Sequence, residues 1–190
     1  AKAPEPTTLR FPAQAIRLFA DRAKSASPSF EVNPGNAQTL AEICRRLDSM
    51  PLAIEPLHPM QAADRACVNT LEHALDLCDA LDPGRTGALG VALDAYHVWW
   101  DPKLAGQIAR AGADRLLAYH VCDWLTPTRD LLNDRGMMGD GVIELRKLRA
   151  RVEAAGYRGA IEVEIFSNAW WSEPMARVLD TCVARFKSAV

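Results

Sequence analysis

The chain has 190 residues, of which 49% are hydrophobic and 24% charged, and its formal net charge at pH 7 is -2. Such a composition is typical of a globular domain with its own core, and it excludes an intrinsically disordered chain. The small net charge provides no general attraction to nucleic acid or to an anionic membrane, and no apolar run approaches the roughly 18 residues of a membrane span, so neither is expected as a partner.

The first 50 residues predict two helices joined by a loop. Residues 12–26 carry apolar side chains with the period of a helix, and residues 36–50 repeat that period. Two prolines and a glycine interrupt the pattern between them, and Asn36 is a typical N-cap for the second helix. We therefore predict an N-terminal helical segment over residues 1–50.

After residue 50 the sequence changes to short apolar runs that alternate with amphipathic helical stretches. The four apolar runs are residues 52–55, 88–94, 115–123 and 159–166. Helices packed against a buried parallel sheet are the usual solution to such a strand–helix alternation. The sequence therefore predicts an α/β domain over residues 51–190.

The five cysteines are an odd number and include no CxxC pair, which favours reduced thiols and hence a cytoplasmic protein. Cys67, Cys78 and Cys182 fall at the spacing of helical core positions, and we interpret them as small apolar residues. On the first helix of the α/β domain, Cys67, Leu71, Cys78 and Leu81 are accordingly predicted to face the core.

Ionisable side chains stand at the end of every predicted strand. The first strand ends at Glu55 and the second at Asp94, while the third carries His120. The fourth carries both Glu162 and Glu164, which strand alternation puts on the same face of the sheet. Because the carboxyl ends of parallel strands form the ligand site in such folds, these groups predict a mixed oxygen and nitrogen site for Mn²⁺, Mg²⁺, Co²⁺ or Zn²⁺.

Each of these residues also has a simpler interpretation. A single carboxylate such as Glu55 or Asp94 at a strand end often caps the next helix. A histidine in an apolar strand, as His120 is, is commonly a hydrogen-bonded core residue. Four such residues at the same end of four strands are harder to explain in this way, and they favour the metal site.

Four stretches, "LAIEPLHPM", "ALDAYHVWWDP", "AYHVCDW" and "IEVEIFSNAWW", together resemble the sugar phosphate isomerase/epimerase family, whose fold is the xylose isomerase-like TIM barrel. The resemblance covers residues 51–190. It implies a divalent metal held by Glu55, Asp94, His120 and Glu164, where the "EIF" context favours Glu164 over Glu162. His97, three residues after the Asp, is implied to bind substrate or to support the metal ligands. His58 and Asp123, which follow the first and third strand ends, are further candidates for binding substrate.

The resemblance implies a sugar isomerase or epimerase that removes the proton next to a carbonyl and proceeds through an enediolate. Either Glu55 or Glu164 would remove the proton, and the other would return it. Arg129 and Arg135 either bind a phosphate or carboxylate tail of the substrate or are ordinary loop cations.

A complete barrel has eight strands and about 250 residues, whereas only its last four strand–helix units are visible here. We therefore predict a partial barrel, a half-barrel with two open sheet edges, at residues 52–55 and 161–166. The N-terminal helices could cover these edges, a second copy could complete the barrel as a dimer, or the chain could stay molten. A noncatalytic, self-associating, metal-binding half-barrel is the alternative to an enzyme.

Residues 12–55 resemble a different family, the helical segment of NB-ARC-type bacterial signalling ATPases. The phosphate loop of such ATPases does not occur in this sequence, so we expect no ATP binding. The two resemblances overlap on residues 51–55, "PLAIE", which predicts a chimera of two families.

Overall fold

A computed structural model describes residues 50–63 and 65–190 of the chain. The helices predicted within residues 1–50, and with them most of the stretch that resembles NB-ARC-type ATPases, lie outside the described residues. The predicted domain boundary after residue 50 therefore stays a prediction.

The central feature of the described chain is a parallel four-stranded sheet. The strands found in the described residues are β1 Leu52–Ile54, β2 Leu89–Asp94, β3 Leu116–Val121, β4 Asp123–Trp124, β5 Arg135–Gly136 and β6 Ile161–Val163. Strands β1, β2, β3 and β6 pair in that order, and every pair is parallel. Their carboxyl ends therefore meet at one edge of the sheet, and the predicted α/β architecture is confirmed.

Helices follow each strand of the sheet. In the part of the chain that the structure describes they are α1 Leu71–Leu81, α2 Ala95–Val98, α3 Leu104–Arg115, α4 Leu145–Ala154, α5 Asn168–Trp171 and α6 Met175–Ala189, with a 3-10 turn at Pro59–Gln61. Leu75 of α1, Val91 of β2 and Ile108 of α3 are fully or almost fully buried in one core. None of the described helices combines the length and the apolar character that crossing a membrane requires.

The first helix begins later than the apolar spacing predicts. Thr70 caps α1, and its side-chain oxygen accepts a hydrogen bond from the backbone N–H of His73. Cys67 precedes this cap and is exposed, and Leu81 in the last turn is 72% exposed, so the prediction that both face the core is wrong. Leu71 and Cys78 are buried as predicted.

A short antiparallel pair of strands follows β3 and lies near the carboxyl ends of the sheet strands. The pair consists of β4 and β5, and Trp124 is the register partner of Arg135. The backbone N–H of Arg135 also donates to the carbonyl oxygen of Phe166 at 2.9 Å. These bonds fix the long loop after β3 over the carboxyl ends of the strands.

Within residues 50–63 and 65–190, the sheet does not close into a barrel. Strands β1 and β6 lie at its two edges, and the predicted half-barrel is thereby confirmed. Leu52 on the first edge is 68% exposed and Val163 on the other is 37% exposed. In α6, Met175 and Leu179 expose 86% and 63% of their surface, so apolar groups remain uncovered along this side.

Candidate metal centre

Four side chains converge at the carboxyl end of the sheet, one from each strand. Asp94 ends β2 and His120 lies in β3, while Glu55 and Glu164 directly follow β1 and β6. Asp94 and His120 are register partners on neighbouring strands. Each of the four offers one ligand atom, and these atoms all lie within 4.8 Å of one another.

A divalent ion fits this cluster. The Nδ1 atom of His120 is buried without a hydrogen-bond partner, and it lies 3.5 Å from Glu164 Oε2 and 3.9 Å from Glu55 Oε1. Metal–ligand bonds of roughly 2.0–2.2 Å place two ligands of one ion at most about 4.4 Å apart, so the widest separations in the cluster, which reach up to 4.8 Å, would shorten around a bound ion. Oxygen and imidazole donors together suit Mn²⁺, Co²⁺ or Zn²⁺, and the carboxylates suit Mg²⁺.

Asp94 has two roles at once. Its Oδ1 atom accepts a hydrogen bond from the backbone N–H of Tyr96 at 2.9 Å, so Asp94 is the N-cap of α2, as the simpler interpretation predicts. Its Oδ2 atom accepts a hydrogen bond from Arg135 Nη1 at 2.8 Å within the cluster. The side chain is fully buried, and burial raises the pKa of Asp94 to about 7, although Arg135 opposes that shift.

Glu55 is a carboxylate of the cluster whose surroundings favour acceptance of a proton. Burial, and then the negative charge of Glu164, raise the pKa of Glu55 above its usual value. His120 and Arg135 oppose the shift without reversing it. A raised pKa makes the Glu55 carboxylate a stronger base than an ordinary surface glutamate.

The structure distinguishes the two glutamates that strand alternation leaves equivalent. Glu162 directs a 65% exposed side chain to the other side of His120, where Oε2 lies 4.0 Å from Nε2. Glu164 is 37% exposed and joins Glu55 on the Nδ1 side of the same ring. Glu164, rather than Glu162, belongs to the four-residue cluster.

His97 lies beside the cluster as a neutral imidazole. It is 5% exposed, and its Nδ1 atom accepts a hydrogen bond from the backbone N–H of His58 at 3.1 Å. Burial, and then the charge of Arg135, lower the pKa of His97 to about 3. Since Nδ1 is an acceptor, the neutral ring carries its proton on Nε2, which lies 3.7 Å from Asp94 Oδ2.

His58 belongs to an aromatic wall next to His97. Its ring stacks on Trp124 at 4.8 Å between centroids and meets Trp100 edge-on at 5.7 Å. Burial lowers the pKa of His58, which keeps it neutral near pH 7. His58 and His97 therefore both border the cluster, and their binding of a substrate stays a prediction.

The carboxylate of Asp123 accepts hydrogen bonds from backbone N–H groups of the loop that follows it. The side chain is buried, and its Oδ1 atom accepts hydrogen bonds from the backbone N–H groups of Trp124 and Ile143, both at 2.9 Å. Its Oδ2 atom accepts a third from the N–H of Gly139, also at 2.9 Å. These bonds organise the loop beyond β4, and direct contact of Asp123 with a substrate stays a prediction.

The two loop arginines differ sharply in their surroundings. Arg129 is 69% exposed and pairs with Asp134, as expected of an ordinary loop cation. Arg135 is 5% exposed and lies inside the cluster, where Nη1 reaches Glu164 Oε2 at 3.3 Å as well as Asp94. The sequence offered no signal for this difference, because both arginines occur in the same polar loop.

Comparison with protein families identifies one model that matches most of the chain. The xylose isomerase-like TIM barrel family matches residues 10–182, including the stretches that carry the four clustered residues. The match also runs across residues 51–55. The predicted chimera with NB-ARC-type ATPases is therefore unsupported.

The matched part of this chain covers about half the length of each of three solved structures with the same architecture. Protein SMc04130 from Sinorhizobium meliloti 1021 is 59% identical with a TM-score of 0.70, over 80% of this chain and 53% of that one. The IOLI protein with a binding zinc atom has a TM-score of 0.64 at 17% identity, over 94% and 55%. D-psicose 3-epimerase with D-tagatose, from Clostridium cellulolyticum H10, has a TM-score of 0.54 at 16% identity, over 80% and 51%.

Curated relatives match only a short stretch. A putative HTH-type transcriptional regulator from Mycobacterium tuberculosis is 45% identical over 58 residues. The match covers 27% of this chain and 7% of the regulator. At that coverage it carries no conclusion about the α/β domain.

Proposed function

Since the chain belongs to the xylose isomerase-like TIM barrel family, we propose that it is a divalent-metal-dependent isomerase or epimerase of a small sugar or sugar phosphate. One observation carries the proposal: the ligand atoms of Glu55, Asp94, His120 and Glu164 converge at the carboxyl end of a parallel sheet. That edge is where ligands bind in folds of this architecture. The reaction would be proton abstraction next to a carbonyl, through an enediolate.

The four clustered side chains would hold the metal ion. When bound, the ion would supply Lewis-acid polarisation of the substrate carbonyl. The zinc atom of the IOLI structure supports a metal in this fold, and the ligand chemistry here leaves Mn²⁺, Mg²⁺, Co²⁺ and Zn²⁺ as candidates.

Glu55 is the preferred base in this proposal, and Glu164 the acid on the return step. The raised pKa of Glu55 favours proton acceptance. Glu164 already accepts a hydrogen bond from Arg135 at 3.3 Å, which occupies one of its lone pairs. A proton removed by one carboxylate and returned by the other would account for either isomerisation or epimerisation.

The groups beside the cluster suit a polyhydroxylated substrate. His97 lies beside Asp94, with Nε2 at 3.7 Å from Asp94 Oδ2, and is the histidine we assign to support of the ligands or contact with a substrate oxygen. Trp100 is partly exposed and meets the His58 ring edge-on, and it offers an aromatic surface of the kind on which the face of a sugar can pack. The D-psicose 3-epimerase similarity supports a small sugar as the substrate class.

The location and partners of the protein complete the proposal. The cysteines in the described residues are free thiols, which agrees with the cytoplasm. A sugar or sugar phosphate would be the small-molecule partner.

A test begins with removal of metal by EDTA and addition of Mn²⁺ in deuterated water. For at least one ketose in a panel, we expect solvent deuterium to enter the carbon next to the carbonyl after Mn²⁺ is restored, and not before. Glu162→Gln is the matched control, because Glu162 lies outside the cluster. Metal binding without deuterium exchange into any sugar of the panel would contradict the proposed enzyme activity and would support a noncatalytic metal-binding protein.

The second candidate is a noncatalytic, metal-binding half-barrel that self-associates. An apolar groove of about 460 Å³ lies between β6 and α6, lined by Ile161, Val163, Leu179, Cys182, Val183, Phe186 and Lys187. The edges of β1 and β6 have no further strand partner among the described residues, and together with the groove they leave surface that another half-barrel could cover. We propose a second copy of this chain as the occupant, and a measured mass in solution tests it: a dimer supports the idea and a stable monomer contradicts it.

A further inference from the structure

Arg135 is packed tightly within the candidate metal centre. Its backbone N–H donates to the carbonyl oxygen of Phe166, and its side chain is 5% exposed. The guanidinium carbon lies 4.4 Å from the ring centroid of Tyr96 and 4.9 Å from that of Phe166, so the planar group is held between two aromatic faces. Its position is therefore determined by packing as well as by charge.

The guanidinium donates hydrogen bonds to two of the carboxylates that would bind a metal ion. Nη1 donates to Asp94 Oδ2 at 2.8 Å and to Glu164 Oε2 at 3.3 Å. Asp94 Oδ1 already accepts a hydrogen bond from Tyr96, so neither oxygen of Asp94 lacks a donor. An ion that binds Asp94 must share or take an oxygen that serves Arg135.

A second contact opposes this arrangement. Arg135 Nη2 lies 3.2 Å from His97 Nε2, and Nε2 carries the proton because Nδ1 accepts from the His58 backbone. Two N–H donors thus face each other, and the buried Nε of Arg135 has no hydrogen-bond partner. The carboxylates hold the guanidinium in place against these unsatisfied donors.

We infer that Arg135 is a built-in cation of the metal centre that holds Asp94 and Glu164 together before metal binds and thereby weakens the affinity for the ion. The inference rests on the proposed function, because it requires that the four-residue cluster binds metal. With all three carboxylates ionised, Arg135 reduces their charge from -3 to -2, and it repels a divalent cation at short range. A positively charged residue in this position makes metal loading weaker and more readily reversible.

The test compares Arg135→Gln and Arg135→Met, which remove the charge, with Arg135→Lys, which keeps it, and with Arg129→Gln as an exposed control from the same loop. Mn²⁺ affinity is measured by isothermal titration calorimetry, and melting temperature is measured with EDTA and with Mn²⁺. We expect both neutral variants to bind Mn²⁺ on the order of tenfold more tightly than wild type. They should also melt earlier in EDTA and be stabilised more by Mn²⁺. Arg135→Lys and Arg129→Gln should bind within about threefold of wild type, since neither loses the buried charge.

The outcomes separate the inference from the proposed function. Wild-type binding of Mn²⁺ with equal or weaker binding by the neutral variants overturns the inference alone. If neither neutral variant folds, with or without Mn²⁺, Arg135 is a structural residue and the inference is also overturned. If neither wild type nor any variant binds Mn²⁺, Mg²⁺, Co²⁺ or Zn²⁺, the proposed function fails together with the inference.

Discussion

Asp94 and His120 lie opposite each other in the register of β2 and β3. The pairing of two neighbouring parallel strands therefore places an acid and an imidazole side by side, before any loop contributes. Glu55 and Glu164 reach the same point from the two outer strands. The candidate metal centre is thus built on the strand ends of the sheet, and sites on strands are more precisely positioned than sites on loops.

Replacing His120 tests the metal centre directly. We expect His120→Asn to weaken Mn²⁺ binding by at least about tenfold, because it removes the imidazole nitrogen that we assign to the metal. In the described structure this buried Nδ1 atom has no hydrogen-bond partner. Calorimetric titration measures the affinity, and circular dichroism checks that the fold is retained. His73→Asn is the matched control on an exposed helical position, and equal binding by both variants would remove His120 from the site.

Replacing Glu55 tests the assignment of the base. At saturating Mn²⁺, Glu55→Gln should lower the rate of solvent-proton exchange by about a hundredfold, since the amide cannot accept the proton. The rate is measured by the appearance of deuterium in the sugar, and bound Mn²⁺ is quantified in the same sample. An exchange rate like that of wild type, with metal bound, would assign the base elsewhere.

The buried pair of Asp82 and Arg115 should make the melting temperature of the protein depend on pH in the acid range. Hydrogen bonds from the Thr86 backbone N–H, and then from Arg115 at 2.7 Å, lower the pKa of Asp82 against the opposing effect of burial. Because the folded pKa lies below the unfolded value of about 3.9, the ionised carboxylate stabilises the fold above that pH, and the contribution is lost as pH falls through the folded pKa. Asp82→Asn should therefore lower the melting temperature at pH 7, and the difference should shrink near about pH 2.

An exposed aspartate provides the comparison for that experiment. Asp76 is 60% exposed and pairs with Arg110 at the surface, so Asp76→Asn should change the melting temperature little at either pH. If the Asp82 and Asp76 variants melt alike at pH 7, the buried pair does not contribute in the manner described.

Gly90 lies where no side chain fits. A Cβ atom built on it would lie 2.5 Å from the carbonyl oxygen of Arg115 and 2.6 Å from Cγ of Leu117. We expect Gly90→Ala to lower the free energy of unfolding by about 1–3 kcal/mol through overpacking. Gly106→Ala, where nothing lies within 4 Å, should instead raise it by roughly 0.5–1 kcal/mol through helix propensity, and urea denaturation measures both.

The apolar groove between β6 and α6 provides a test of the proposed self-association, because a substitution in the groove should prevent it. Leu179 is 63% exposed in that groove, and Leu179→Asp should convert the proposed dimer to a monomer, because burying a carboxylate against an apolar partner is unfavourable. Asp180→Ser, at an exposed neighbouring position, should leave the dimer unchanged. Light scattering coupled to size exclusion measures the mass, and identical masses for the two variants would exclude this face.

Much of the fold was predictable because its signals are local. The apolar runs that form β2 and β3 and the helical period of α1 and α3 can each be recognised in a short stretch of sequence. The start of α1 was not predictable from apolar spacing alone, since the Thr70 cap decides where the helix begins and leaves Cys67 outside it.

The sequence by itself indicated the alternation of strands and helices, because apolar runs and helical periods are local patterns, while the half-barrel and the choice of Glu55, Asp94, His120 and Glu164 were implied by the family resemblance. Only the tertiary structure decided that Arg135 enters the cluster while Arg129 stays in solvent. The contact between Arg135 and Asp94 joins residues 41 positions apart through the hairpin of β4 and β5. No local pattern encodes such a contact, since it forms only when the loop closes over the assembled sheet.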